Sequence, residues 1–487
     1  MTPDANDLCV FAVKRGDVEK RIDPHSNHPK FQVIFNRLKK YTVLPLKDYT
    51  TNIFSGITPK SGGDAYTESE DGVLFVKSGC LSNDGYITID NTSRIKLEIH
   101  NGLMKSSQLR CKDVLIAIVG ATIGKVGLFD STVEANINQA IAAVRLKDNL
   151  LPEFLVAYLL SPIGQAYLEF LKRPVARANI NLQEIGEIGV PLLSIEQQKR
   201  LINTFYTKRI QKEEKLKQAE KVRDNSILEL ESALNLSFCK AEQELFSYVC
   251  LENIKRNSTK RIDPKCYSVK FQNIRSAIDC SNYPKYKLRD LILDITGGDW
   301  GYEPEAEKEN CQKCLVLRAT EISNKDNIEI REDKAQYRQI DKKKLTAMNV
   351  EIGDIIIEKS GGSIDQPVGR VIYVDQLSNN GYPIAYSNFL TKLKINKNLV
   401  DSYYLFEYLR FVYKIGLTEV MQNQTNGIRN LIIDEFLDQT VIVPPNHYEI
   451  GQKIKEQRLS ACEIEKQAEI EWQAAKEQFE KELLTEH

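Results

Sequence analysis

The chain has 487 residues, 42% hydrophobic and 27% charged: longer than one hydrophobic core usually supports, and ordinary in composition for a soluble protein. Lysine and arginine number 66 against 67 aspartates and glutamates, so the formal net charge is −1 and contact with a polyanion must come from local patches or a more basic partner. No run of roughly eighteen apolar residues occurs, the opening Met1-Thr2-Pro3-Asp4 has no basic start or apolar core, and the 10 cysteines fall in no disulfide framework; a membrane or secreted protein is not expected, and reduced thiols in a cytoplasm are.

In chain order, β-branched and aromatic runs between Gly, Asn and Asp turn signals predict strands over 72–78, 86–90 and 114–119, parts of a compact curved sheet. Helical spacing follows over 152–171, with Phe154, Leu155, Tyr158 and Leu159 on the apolar face, and over 182–187. From Ser194 to about Glu244 a stretch without Pro or Gly carries Ile210, Leu216, Ala219, Val222, Ile227, Leu230 and Leu234 at helical spacing. Ser194 and Gln197 have the spacing of a capping box, which puts the helix start there. About 50 helical residues would extend roughly 75 Å, so this helix needs a partner along its stripe.

Beyond it the pattern recurs. Strands are expected over 314–318, 354–358 and 369–375, and helices over 400–413 and 432–437. After Pro444-Pro445, Asn446 with Glu449 repeats the capping arrangement, and Ile454, Ala461, Ile464, Ala468, Trp472, Ala475, Phe479 and Leu483 step by three, four or seven to the C-terminus. The two long helices are expected to pack on each other as a coiled coil.

The recurrence is residue by residue. Arg21-Ile22-Asp23-Pro24 returns as Arg261-Ile262-Asp263-Pro264, and Lys30-Phe31-Gln32 returns as Lys270-Phe271-Gln272 at the same offset. Lys112-Asp113-Val114 matches Gly353-Asp354-Ile355, Gly124-Lys125-Val126 matches Gly369-Arg370-Val371, and Val190-Pro191 matches Val443-Pro444, each of the last pair standing before a long helix. The chain is two copies of one unit, a mixed block of about 190 residues followed by a long helix. The expected fold class is α+β, a tandem repeat of two mixed α/β domains with the two helices as an antiparallel coiled coil.

Enzymatic signatures fail on inspection. Gly120 to Lys125 is one residue too short for a phosphate loop and lacks the Ser or Thr that would hold magnesium. Cys311 and Cys314 form a lone CxxC with no second pair at zinc spacing, and His25 and His28 give way to Lys265 and Ser268 in the second copy. No nucleophile with a base, dinucleotide fingerprint or carboxylate pair appears in both copies.

One family resembles the repeat. Ser55-Gly56-Ile57-Thr58-Pro59, Phe75-Val76-Lys77, Asp113-Val114-Leu115-Ile116, Ala121-Thr122-Ile123-Gly124-Lys125, Asn138-Gln139-Ala140-Ile141, Asn179-Ile180-Asn181 and Val190-Pro191-Leu192 with Glu196-Gln197 form an ordered set. It resembles the specificity subunit of type I restriction-modification enzymes and covers nearly the whole first copy. The second copy departs from it, with Thr296-Gly297-Gly298-Asp299-Trp300 and Asn388-Phe389-Leu390 at the corresponding places.

The resemblance implies target-recognition domains at 1–193 and 246–443, with the helices of 194–245 and 444–487 as spacers. It implies a non-catalytic DNA-recognition subunit for phage defence, reading a bipartite, gapped double-stranded site and docking methyltransferase subunits, two in number. S-adenosylmethionine would belong to the methyltransferase partner, and ATP and magnesium to a restriction or translocase subunit if one joins; this chain would bind no cofactor, metal or membrane. Alternatives are the recognition subunit of a type IIB-like or phage-exclusion methylation system, or a coiled-coil protein scaffold that reads no DNA. Polar and cationic residues on exposed loops are the expected DNA contacts: Thr58, Lys60, Lys77, Ser78 and Lys125, with Lys105 and Arg110 as outliers, and in the second copy Trp300, Arg318, Thr320, Lys359, Ser360 and Arg370. Gly56, Gly297 and Gly298 are read as tight turns or close backbone approaches.

Overall fold

Two helices of 39 residues each, Ile195–Ala233 and His447–Thr485, carry the long apolar stripes. The first opens as its sequence predicts: Ser194 Oγ accepts from the Gln197 amide at 3.2 Å, and Gln197 Oε1 accepts from the Ser194 amide at 2.9 Å. It stops sooner than the lack of Pro and Gly predicts. Asn235 takes a left-handed φ of 52°, and the Leu236 amide turns back to the Glu231 carbonyl at 3.2 Å. Asparagine tolerates that conformation and closes the helix as glycine would. The structure is a computed structural model that describes residues 12, 23–60, 63–89, 92–173, 178–236, 249–256, 261–306, 308–321, 335–362, 366–425 and 428–485. The expected helical stretch 237–244 and the repeated residues Arg21 and Ile22 lie outside them.

The chain divides into two units, residues 1–216 with 465–487 and residues 217–464, so each takes part of both long helices. The first contains α1 (Pro29–Asn36), β1 (Val43–Pro45), β2 (Thr50–Ser55), β3 (Tyr66–Thr67), β4 (Val73–Val76), β5 (Arg94–Ile95), α2 (Leu97–Asn101), β6 (Asp113–Ala117), β7 (Val126–Phe129), β8 (Ala135–Ile137), β9 (Ile141–Leu146), α3 (Pro152–Leu160), α4 (Pro162–Leu171), α5 (Leu182–Gly186), β10 (Gly189–Pro191) and the start of α6 (Ile195–Ala233). The second continues through α7 (Leu251–Arg256), α8 (Val269–Asp279), β11 (Lys285–Lys287), β12 (Ile292–Gly297), β13 (Cys311–Leu317), β14 (Tyr337–Asp341), α9 (Lys342–Met348), β15 (Ile355–Glu358) and β16 (Ser360–Gly361). Then come β17 (Val371–Tyr373), β18 (Ser378–Asn379), β19 (Tyr382–Tyr386), β20 (Leu390–Ile395), α10 (Ser402–Lys414), β21 (Gln422–Thr425), β22 (Ile428–Leu431), α11 (Ile433–Leu437), β23 (Thr440–Ile442) and α12 (His447–Thr485).

In place of one curved sheet, the first unit has two four-stranded sheets, β2-β9-β6-β7 and β3-β5-β4-β8, and a β1-β10 pair. The split follows from β4, which runs parallel to β8 with Leu74 opposite Ala135 and so leaves the first sheet for the second. The strand expected over 86–90 makes only an isolated bridge, Ile87 to Leu81, in its described part. The helix expected over 152–171 breaks at Ser161-Pro162 with a bend of 77°. Pro162 has no amide to continue the ladder, and Ser161 Oγ accepts from the Gly164 amide to start α4. Among the described residues no single helix is long and apolar enough to cross a membrane, and the bent α3–α4 pair that passes by composition alone is largely buried.

The second unit repeats the scheme in β12-β20-β15-β17, β14-β13-β19-β18 and β11-β23, and adds β16-β22-β21. Even the irregularities recur. The β2–β9 register shifts between Thr50 and Asn52, and the β12–β20 register between Ile292 and Asp294. Lys112 holds a φ of 74° where its counterpart Gly353 holds 94°, so that Asp113 and Asp354 accept from the amides of Arg110 and Glu351 at 2.8 and 2.9 Å. Tyr158 donates to the Gly189 carbonyl at 2.6 Å, and Tyr408 to that of its counterpart Thr440 at 3.0 Å.

What closes each unit differs. In the first, Phe205 of α6 lies 4.8 Å from Trp472 and 5.4 Å from Phe479 of α12, and Phe154 of α3 lies 5.9 Å from Phe479. Further along α6, Lys212 and Lys215 reach Glu469 and Glu471 at 2.6 Å; with the earlier Phe205 beside the later Phe479, the two helices run antiparallel. In the second, Glu229 of α6 pairs with Lys453 and accepts from Gln457, while Arg223 approaches Cys462, again antiparallel. There the buried contact between α10 and α12 includes an ion pair beside the apolar core, with Glu407 and Arg458 2.9 Å apart and each 3% exposed. Burial pushes the Glu407 carboxyl up to about 7 against the pull of Arg410 and Tyr403, and pushes Arg458 down to about 10.

Phe205→Ala removes the ring that joins α6 to α12 in the first unit and should cost about 3–5 kcal/mol of unfolding free energy. Urea denaturation followed by tryptophan fluorescence measures it; a loss below about 1 kcal/mol would contradict this packing.

Candidate nucleic-acid interface

In the first unit the ends of β2 and β4 meet the approach to β9. A Cβ on Gly56 would lie 1.7 Å from the Ile137 carbonyl oxygen, so only glycine lets the 56–60 loop cross that backbone. The Asn138 amide donates to the Val76 carbonyl at 3.1 Å, and the Gln139 amide to Thr58 Oγ1 at 3.5 Å. Thr58, Lys60, Lys77 and Ser78 are thereby gathered at one edge. Tyr66 donates to the Pro59 carbonyl at 3.1 Å, and its ring lies 5.8 Å below Lys77 Nζ, which also donates to Ser93 Oγ at 2.8 Å. A groove of about 490 Å³ opens here between Lys77, Tyr66 and Arg94, with Glu68 on its rim.

Tyr66 and Arg94 belong to this groove and are not among the residues expected from sequence. Their only sequence signal is an aromatic and a cation in loops of one block, which becomes meaningful once β3 and β5 pair through Tyr66 opposite Ile95. Lys125 stands apart on the β6–β7 turn. That turn is connected to the same edge by the Ile118 amide, which donates to the Ala140 carbonyl at 2.9 Å. Lys105 and Arg110 are exposed on the α2–β6 connection.

The second unit builds the same edge with other side chains. A Cβ on Gly298 would lie 2.2 Å from the Ser387 carbonyl oxygen, which makes Gly298 the structural counterpart of Gly56; at Gly297 the nearest atom is Lys359 Nζ at 3.8 Å, so that glycine is not required by contact. The Ser387 amide donates to the Leu317 carbonyl at 2.8 Å, and the Lys359 amide to the Phe389 carbonyl at 2.9 Å. The amides of Lys359 and Ser360 both donate to the carbonyl of Phe389, which stands where the first copy has Ala140 and is 44% exposed; Arg318 follows the Leu317 carbonyl bound by Ser387, and Thr320 lies in the 3₁₀ turn Ala319–Glu321. Ser360 Oγ is held by Asn430 at 2.7 Å.

Trp300 and Arg370 sit differently from the rest. The Trp300 ring is half-buried and covered by the Arg338 guanidinium at 4.6 Å, whose Nε donates to the Trp300 carbonyl. Arg370 forms a two-pronged pair with Glu358 at 2.8 and 2.9 Å, and Glu358 is 1% exposed. The Arg370 Nη2 that donates to Glu358 also donates to the Ala319 carbonyl at 3.0 Å. Burial disfavours the cation, but the hydrogen bonds and charge of Glu358 outweigh it and hold the guanidinium pKa above its usual value. Arg370 therefore positions the turn carrying Thr320. The first copy has Ala117 in place of Glu358, so Lys125 lacks that anchor.

Among the described residues no cluster of three His, Cys, Asp or Glu side chains is arranged to hold a metal. Cys314 is buried in β13 with its thiol pushed up to about 11 by that burial, and His25 Nε2 is hydrogen-bonded to the Glu169 carbonyl at 2.7 Å. Glu358→Gln would leave Arg370 a buried cation without its charge partner and should cost about 3–5 kcal/mol. Thermal and urea unfolding of the variant measure that, and a change within about 0.5 kcal/mol would show that the pair does not hold the loop.

Residues 67–220 match the family model of the type I restriction modification DNA specificity domain. The chain is 30% identical over 172 residues to the type I restriction enzyme EcoBI specificity subunit of Escherichia coli, an alignment covering 34% of this chain and 36% of that one. The chain thus spans about a third of the length of that curated relative. Among solved structures, the S subunit of a type I restriction-modification system from M. genitalium aligns over 91% of this chain and 95% of its own, at 14% identity and a TM-score of 0.38. A structure described as the basis of complex assembly and conformational transition of the type I system aligns over 90% and 97%, at 13% identity and a TM-score of 0.45. Residues 67–220 belong to the type I restriction modification DNA specificity domain family, and through them the chain is a relative of type I specificity subunits.

Proposed function

We propose that the chain is a non-catalytic DNA-recognition subunit of a type I restriction-modification complex, reading a bipartite, gapped site in double-stranded DNA. The observation that carries this is the repeated edge: two units of one scheme present loops at equivalent places, and the loops differ in side chain but not in backbone plan. Such a pair suits a two-part site whose halves are unlike. The target-recognition domains are residues 1–193 and 246–443, and the helical segments 194–245 and 444–487 act as spacers and as the docking surface for two methyltransferase subunits. S-adenosylmethionine binds in those subunits, and ATP and magnesium in a restriction or translocase subunit where one joins.

Within each edge the roles divide by geometry. Lys60, Lys77, Lys125, Arg318 and Lys359 supply charge for phosphates, and Thr58, Ser78, Thr320 and Ser360 supply hydroxyls at the same edges. Trp300 acts through the loop it braces, and Arg370 through the turn it holds. With a formal net charge of −1, the isolated chain binds DNA weakly and the assembled complex supplies the remaining cations.

Fluorescence anisotropy of the assembled complex on its own site tests this. Lys77→Ala and Lys359→Ala should each weaken binding several-fold and each lower the slope of log affinity against log salt by about 1. Unchanged affinity and slope in both variants would remove these residues from the interface, and salt-independent binding would favour a protein scaffold.

A further inference from the structure

The two copies also differ away from the DNA-facing edge, where the first helix of each unit packs on the short β1–β10 or β11–β23 ladder. The places are equivalent by three markers. Pro45 pairs with Gly189 as Lys287 pairs with Thr440. The Leu46 amide donates to the Ile188 carbonyl as the Leu288 amide donates to that of Gln439. Lys47 pairs with Glu187 as Arg289 pairs with Asp438.

In the first unit aromatic rings fill this place. Phe35 stacks on Tyr167 at 4.2 Å and meets Phe170 edge-on at 5.3 Å. The Tyr167 hydroxyl lies where a Cβ of Gly189 would be, 2.5 Å away, so glycine there makes room for the ring. In the second unit none of these rings is present. The repeat puts Arg275 at the position of Phe35, and α10 gives way to a 3₁₀ turn, Leu417–Val420. What remains is a cavity of about 360 Å³ with an apolar wall of Ile278, Leu417 and Met421, and with Arg275, Lys287 and the Gln439 side chain on its polar side.

The charges around it are unequal. Of the lining carboxylates, Glu435 is paired with Arg261 at 3.3 Å and Asp438 with Arg289 at 2.5 Å. Asp279 stands against two cations, Arg275 and Lys287, and among the described residues neither cation has a carboxylate partner. Arg275 is oriented by donating to the Cys266 carbonyl at 2.7 Å.

We propose that the second unit holds a binding site for a small planar aromatic molecule bearing an acidic group, its ring taking the space that Phe35 and Tyr167 fill in the first unit and its anion meeting Arg275 and Lys287. A Met and branched aliphatics suit the face of a ring, and the volume falls within the range of small-molecule pockets. The site is independent of the DNA-reading proposal.

The test is saturation-transfer NMR on the full chain with indole-3-acetate, with indole and acetate as probes lacking the charge or the ring. Indole-3-acetate should bind, indole more weakly, and acetate not measurably. Arg275→Phe with Leu417→Phe, which refills the cavity as the first unit does, should abolish the signal. Lys287→Ala, at an exposed position that leaves the core intact, should weaken indole-3-acetate about tenfold and leave indole unchanged. No transfer to indole-3-acetate from the wild-type chain at millimolar concentration would overturn the proposal, as would equal affinity in wild type and Lys287→Ala.

Discussion

The structure depends on the need of two 39-residue helices to bury their apolar stripes. Neither stripe has enough apolar surface of its own, so each is completed by part of the other helix and by the domain beside it. In the first unit this makes Trp472, Ala475, Phe479 and Leu483, from the last residues of the chain, part of the same core as Phe154 and Phe205. In the second, Leu230 of α6, Leu234 just past its end, and Ile450 and Ile454 of α12 join the core beneath α10. The first unit's core is therefore complete only once residues 472–483 have been made.

The repeat keeps its backbone and varies its chemistry. Turns that need a left-handed residue are kept whether that residue is Lys112 or Gly353, and the glycine that crosses the neighbouring backbone is kept at Gly56 and Gly298. Side chains facing outward at the same edges are free to change, as Gln139 to Asn388. Inside, the aromatic closure of the first unit becomes the Glu407–Arg458 pair in the second, and the Phe35–Tyr167 stack becomes a cavity. A subunit whose halves must recognise unlike sequences while presenting like frames would show this division of what is held and what varies.

Much of the frame is legible in the sequence, because its signals are local or repeated. The capping box at Ser194 and Gln197, the apolar spacing to Leu483 and the paired Asp113 and Asp354 turns each rest on a few neighbouring residues. The stop at Asn235 is not legible from composition, since asparagine enters the left-handed region only when the following residues fold back. The division into two sheets is hidden because β4 and β8 are far apart in sequence. At the proposed interface, the cations of the first copy are suggested by residue type, whereas Tyr66 and Arg94 need strand pairing to bring them beside Lys77. Arg370 looks like Lys125 in its motif, and only the exchange of Ala117 for Glu358 reveals that its charge is held inside the fold.

The most direct test is a genome-wide methylation map of cells expressing the chain with its neighbouring genes, made with the native chain and with residues 1–193 exchanged for those of a relative. The account predicts a gapped, two-part methylated motif in which the exchange alters one half and leaves the other half unchanged. An unchanged motif, or one altered in both halves, would contradict the assignment of each copy to one half of the site.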